Sequence, residues 1–153
     1  MGAAQAECWE AAGTGEQRQF DFWLGEWDLS WGDGATATNS VYLDFDGHVL
    51  VESFDGRPSL ELQGMSISTY DPAERSWRQT WVDNQGSHFR FAGAFRDGTM
   101  DLRTETTLDG RPALLRMRWF NIREQALDWA WERSDDGGAT WTPLWEVAYS
   151  RVL

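Results

Sequence analysis

The sequence predicts an all-β protein, a single antiparallel up-and-down barrel of about 8–10 strands. Three observations carry that expectation. From Phe20 onward, short segments in which apolar and polar residues alternate are separated by clusters of Gly, Asp, Asn and Pro, and period-two alternation marks a sheet with one buried face. The segments recur roughly every ten residues, the rhythm of a meander in which each strand pairs with the next. No long helical period interrupts them, so the sheet hides its edges by closing on itself, with a two-sheet sandwich as the runner-up.

Taken in order, residues 1–19 are small and polar, lack alternation and read as a flexible N-terminal tail, and residues 20–153 form the barrel domain. Turns fall at Trp31-Gly32-Asp33-Gly34, Asp46-Gly47, Asp55-Gly56-Arg57-Pro58, Tyr70-Asp71-Pro72, Asp83-Asn84-Gln85-Gly86, Asp97-Gly98, Asp109-Gly110-Arg111-Pro112 and Asp135-Asp136-Gly137-Gly138. Asp-Gly supplies the positive φ of tight hairpins. Between the turns the phase of each strand is legible. Trp77, Gln79 and Trp81 share one face; so do Phe89, Phe91, Gly93 and Phe95, then Met117 and Trp119, then Trp129 and Trp131, then Trp145, Val147 and Tyr149. The opposite face is charged: Asp101, Arg103 and Glu105 fall beside Arg116 and Arg118 on an outer wall suited to cross-strand ion pairs.

The 13 basic residues are all Arg and stand against 25 acidic ones, for a net charge of −12. That balance argues against nucleic acid and against an anionic membrane surface as partners, and the lack of Lys excludes Schiff-base catalysis. Cys8 is the single cysteine, so no internal disulfide is expected. No apolar run matches a membrane helix or a signal peptide, which makes a cytoplasmic location the expectation. His48 and His88 lack the spacing of paired metal ligands, and the acidic run at 135–138 lacks that of a calcium loop, so no metal site is expected. Neither a nucleophile elbow nor a histidine beside Cys8 is present.

The string Phe20-Asp21-Phe22-Trp23-Leu24-Gly25-Glu26-Trp27-Asp28, with Gly25-x-Trp27 entering the first strand and Arg151 on the last, is similar to the lipocalin and wider calycin pattern. In that pattern the tryptophan closes the barrel floor and the arginine packs over its face as a cation–π pair. The longer string, with Tyr70-Asp71-Pro72, Trp77-Arg78-Gln79-Thr80-Trp81-Val82-Asp83 and the Trp131–Trp141 segment, resembles a family of uncharacterised bacterial lipocalin-like barrel proteins over about residues 20–152. The resemblance implies the fold and leaves activity open. Ser134-x-Asp136-x-Gly138-x-Thr140-Trp141 resembles the Asp-box of sialidases, a hairpin staple whose Trp plugs an apolar layer and which implies no glycosidase. Some lipocalin-like barrels, the nitrobindins, hold haem through a histidine on a late strand. No histidine follows His88 here, which leaves haem a minor alternative and no cofactor as the expectation.

Eleven tryptophans in so small a domain either fill the barrel or line a cavity for a small hydrophobic or aromatic guest, a polyene among them. The expected lining is Trp77, Trp81, Phe89, Phe91, Trp119, Trp129, Trp131, Arg133, Trp145 and Tyr149, with Arg133 as an anion or carbonyl clamp at one mouth. A second function class is a cofactor-free cyclase or isomerase, pericyclase-like, of a natural-product pathway, acting in the same cavity. Its expected catalytic residues are Gln79, in phase between two tryptophans, and Asp83, in phase at the end of that face. Glu52, His88 and Glu132 read as solvated or ion-paired rim groups, with Tyr70 a further candidate. A third class is a structural barrel with a solid core that forms a homodimer through an edge strand.

Overall fold

The computed structural model describes residues 15–153. Ten strands run in order: β1 (Gly25–Trp31), β2 (Ala35–Asp44), β3 (Val49–Asp55), β4 (Gln63–Asp71), β5 (Ser76–Asp83), β6 (His88–Arg96), β7 (Thr99–Leu108), β8 (Arg111–Phe120), β9 (Ala126–Ser134) and β10 (Thr142–Arg151). Each pairs antiparallel with the next and β1 pairs with β10, so the sheet is one closed up-and-down barrel, as the sequence predicts, and not a sandwich. Since β1 and β10 pair with each other, neither is a free edge. Among the described residues no helix is long and apolar enough to cross a membrane.

Hairpin chemistry follows the predicted turns. Asp97 and Gly98 have φ of 52° and 77°, and Asp109 and Gly110 have 53° and 74°, the two successive positive values that match the twist of flanking strands. The barrel has two unlike ends. At one, Phe20, Phe22 and Trp23 precede β1 and fold under the strands. Phe20 lies 5.0 Å from Trp23, 5.3 Å from Trp77 and 5.0 Å from Trp119, ring centre to ring centre, and all but Phe22 of these rings are fully buried. Each fully buried large ring contributes about 2–3 kcal/mol, which makes this floor a stable end.

Arg151 fastens it. Its guanidinium lies 4.2 Å from the Trp27 ring centre and donates to the carbonyls of Phe22, Leu24 and Glu124. Gly25 makes room for this: its φ is 124°, and a Cβ there would stand 2.5 Å from an Arg151 nitrogen. The expected Trp27–Arg151 pair is therefore present, with carbonyl bonds that the sequence did not announce.

Residues 16–19, which the sequence reading places in the tail, touch the barrel. Glu16–Arg18 form a short 3-10 turn in which Glu16 accepts hydrogen bonds from Tyr70 and Arg75, and Gln19 accepts one from Trp77 at 3.2 Å. Small polar residues hid these contacts, because their partners lie far along the chain. Residues 1–14, including Cys8, lie outside the described residues.

The wall changes character between β6 and β7. The two strands pair from Arg96↔Thr99 to Ala92↔Arg103 and no further, although β6 begins at His88 and β7 runs on to Leu108. At the last paired stretch they are pinched together: a Cβ on Gly93 would stand 1.9 Å from the Asp101 carbonyl oxygen. Substituting Gly93→Ala should therefore cost about 3 kcal/mol in denaturant unfolding, since the obstacle is backbone. Arg151→Ala should cost about 2–3 kcal/mol by leaving the part-buried carbonyls of Phe22 and Leu24 unpaired and removing the contact with the Trp27 ring, with fold retention checked by the far-ultraviolet spectrum.

Candidate functional site

Above the floor, toward the end where the β3–β4 and β5–β6 turns lie, the interior opens into a cavity of about 230 Å³. Its walls are Leu29, Phe54, Leu62, Trp81, Phe89, Phe91, Met117, Trp119, Trp129, Trp131, Trp145 and Val147, with Glu52, Asp83 and Tyr149 as the polar members. Strand alternation puts these residues inside, and edge-to-face contacts hold them. Trp145 packs against Trp31 at 5.0 Å and Trp129 at 5.4 Å, and Trp131 packs against Phe89 at 5.7 Å and Phe91 at 5.8 Å. Such pairs contribute about 0.5–1.5 kcal/mol each beyond burial.

Eight of the expected lining residues do line it: Trp81, Phe89, Phe91, Trp119, Trp129, Trp131, Trp145 and Tyr149. Trp77 does not. It lies in the floor between Phe20 and Tyr70, since β5 spans both ends and its first tryptophan sits at the closed one. Arg133 also falls off the lining; it forms an ion pair with Asp135 at 2.9 Å at the rim, two residues along the same strand end.

Gln79 is inward and buried as predicted, but its amide donates to the Ser68 hydroxyl at 2.9 Å and the residue is off the cavity lining. Asp83 does line the mouth, where it accepts from the Trp81 indole N–H at 2.8 Å and from the backbone N–H groups of Gln85 and Ser87. Burial pushes its carboxyl up, but these hydrogen bonds outweigh burial and hold it below the usual carboxylate range. Asp83 is thus a fixed anion that shapes a turn and orients Trp81.

The buried carboxyl on the cavity is Glu52, which the sequence reading sets on the rim. It is 7% exposed, lines the cavity, and accepts the Ser66 hydroxyl at 2.6 Å on one oxygen and the Asn39 amide at 2.8 Å on the other. The Asn39 amide also donates to the Tyr149 hydroxyl at 3.1 Å. Burial drives the Glu52 carboxyl from 4.5 to about 7, with the Ser66 and Asn39 bonds opposing only part of the rise. Burial and the neighbouring Glu52 push the Tyr149 hydroxyl far above its ordinary value. The signal for Glu52 was its phase with Leu50 and Phe54, masked by the run Val49-Leu50-Val51 that blurs alternation. Asn39 shares phase with Ala37 and Val41, and Ser66 with Ser68 and Tyr70, by the same rule.

The remaining candidates lie elsewhere. Tyr70 is buried in the floor, and His88 is exposed where β6 begins. Glu132 is buried on the outer wall, where it accepts from Arg116 at 2.8 Å and Arg118 at 2.7 Å. Its burial raises the carboxyl, but the bonds from Arg118 and Arg116 prevail and lower it. The Asp-box staple forms: Ser134 accepts from the Gly138 amide and Asp136 from that of Thr140, each at 2.9 Å. Its Trp141 plugs no apolar layer. The ring lies over guanidinium groups on the outer wall, 3.9 Å from Arg116 and 5.1 Å from Arg103, because that wall is ionic.

A porphyrin does not fit this chamber. An apolar cavity of about 150 Å³ holds one benzene, and neither His48 nor His88 is on the lining. Among the described residues no three His, Cys, Asp or Glu side chains gather as a metal site. No family model matches the chain and no curated protein matches it.

Glu52 makes stability depend on pH with a definite sign. Its folded value lies above 4.5, so its contribution, roughly 3 kcal/mol, is complete below about pH 4.5 and is lost as pH rises toward about 7. The unfolding free energy of the wild type, measured against that of Glu52→Gln, should fall over that interval and level off above it.

Proposed function

We propose that the protein binds a small aromatic molecule in the tryptophan-lined chamber, as a member of the lipocalin-like barrels that its opening motif resembles. The observation that carries this reading is the cavity itself: about 230 Å³ left open among large apolar side chains, with one buried carboxyl at hand. Close packing is the norm in interiors, and voids larger than a water molecule are few. Scaled from about 150 Å³ for benzene, the volume suits one substituted ring or two fused rings. A long polyene exceeds it.

A second reading has its own support. A carboxyl held near neutrality inside an apolar chamber is a competent general acid and base. Glu52 would take a proton from one carbon of the guest and return it to another, an isomerisation or ring closure with no net redox change. In this reading Glu52 replaces Gln79 and Asp83 as the catalytic residue, because those two are engaged with Ser68 and the 83–87 turn.

Binding is tested by tryptophan fluorescence and thermal shift with naphthol- and indole-sized compounds. Saturable quenching is expected, and Val147→Phe, which grows a ring into the chamber, should weaken it at least about tenfold while the barrel still folds. No saturable response from one- or two-ring compounds would overturn the reading. Turnover, if found, should vanish in Glu52→Gln with binding retained.

A further inference from the structure

The chamber has an electrostatic asymmetry that its apolar walls conceal. Its two charged lining residues are both carboxylates, Glu52 and Asp83, and no arginine lines it. Asp83 has its hydrogen bonds from Trp81, Gln85 and Ser87. Glu52 has one donor on each oxygen, and a carboxylate oxygen accepts two, so both oxygens keep capacity for a further donor. The groups facing Glu52 from the packed strands are Asn39 on β2, Ser66 on β4 and Tyr149 on β10. None is a cation. An ionised carboxylate buried without a counter-charge is costly, and the chamber is lined by aromatic rings, whose π-faces carry the negative potential that favours a positive guest.

We infer that the guest is a cation, an ammonium or quaternary ammonium carried on a single aromatic ring, seated with its charge against Glu52 and its body among Trp81, Trp129, Trp131 and Trp145. This rests on the chamber being a binding site, as proposed above, and adds the chemical class of what it takes. The buried carboxyl supplies the charge partner and the rings supply the cage, the combination that recognises alkylammonium groups. The net charge of −12 draws cations toward the mouth and repels anions. Binding a cation keeps Glu52 ionised, so where the empty site is protonated a proton leaves as the guest enters. Affinity then rises as pH rises through the range in which Glu52 titrates.

The test is calorimetry with four probes of similar size: phenethylammonium, benzyltrimethylammonium, neutral phenethyl alcohol and anionic phenylpropanoate. Both cations should bind at least about tenfold more tightly than the alcohol, and the anion most weakly. At roughly pH 6 the heat should vary with the ionisation enthalpy of the buffer, reporting proton release, and at roughly pH 8 it should not. Glu52→Gln, which keeps the size and one acceptor oxygen but removes the charge, should lose the preference for cations while still binding the alcohol. Should Glu52→Gln fail to fold, the buffer dependence of the wild type decides alone. Equal affinity for cation and alcohol, a preference surviving in Glu52→Gln, or no proton release overturns the inference and leaves the chamber reading standing. If none of the four probes binds, both fall together.

Discussion

Closure of the sheet is the constraint on which the rest depends. Once β1 pairs with β10, ten strands share one interior, and every inward side chain competes for the same space. The Trp27–Arg151 contact acts where the first and last strands meet, so a cation–π pair and three carbonyl bonds secure the seam. With the seam fixed, the register of each strand decides which rings meet in the floor and which stand back from one another higher up.

That division gives the molecule a stable half and a receptive half. In the floor, Phe20, Trp23, Trp77 and Trp119 interlock with essentially no exposure. Further up, Trp129, Trp131 and Trp145 make edge-to-face contacts with one, two and three rings respectively and still leave a cavity between them. Glu52, Asn39, Ser66 and Tyr149 stand together at the boundary. Hydrogen bonds among them offset part of the cost of burying polar groups, and the floor holds the strands that present them in fixed register.

The fold and most of the cavity wall were legible in the sequence because alternation is a local signal. Trp81, Trp129, Trp131 and Trp145 follow from phase alone, as does the outward placement of Arg116 and Arg118. What phase cannot supply is height along the barrel, which is why Trp77 belongs to the floor and Arg133 to the rim. Nor does it reveal which polar residue finds its partners nearby in space. Gln79 and Glu52 are both inward, and only the meeting of β2, β3, β4 and β10 decides that Glu52 is the one on the cavity. The early contact of Glu16 with Tyr70 and Arg75 was hidden for the same reason.

The unpaired stretch between β6 and β7 bears on how anything reaches the interior. Beyond Ala92 and Arg103 each strand is laddered on one side only, β6 to β5 and β7 to β8. Spreading them there breaks no bond of a shared ladder, whereas parting most other neighbours would. Phe89, on the cavity wall, stands at that slit. The molecule is thus built like a cup with a split lip, with Phe89 at the split and the packed rings closing the base.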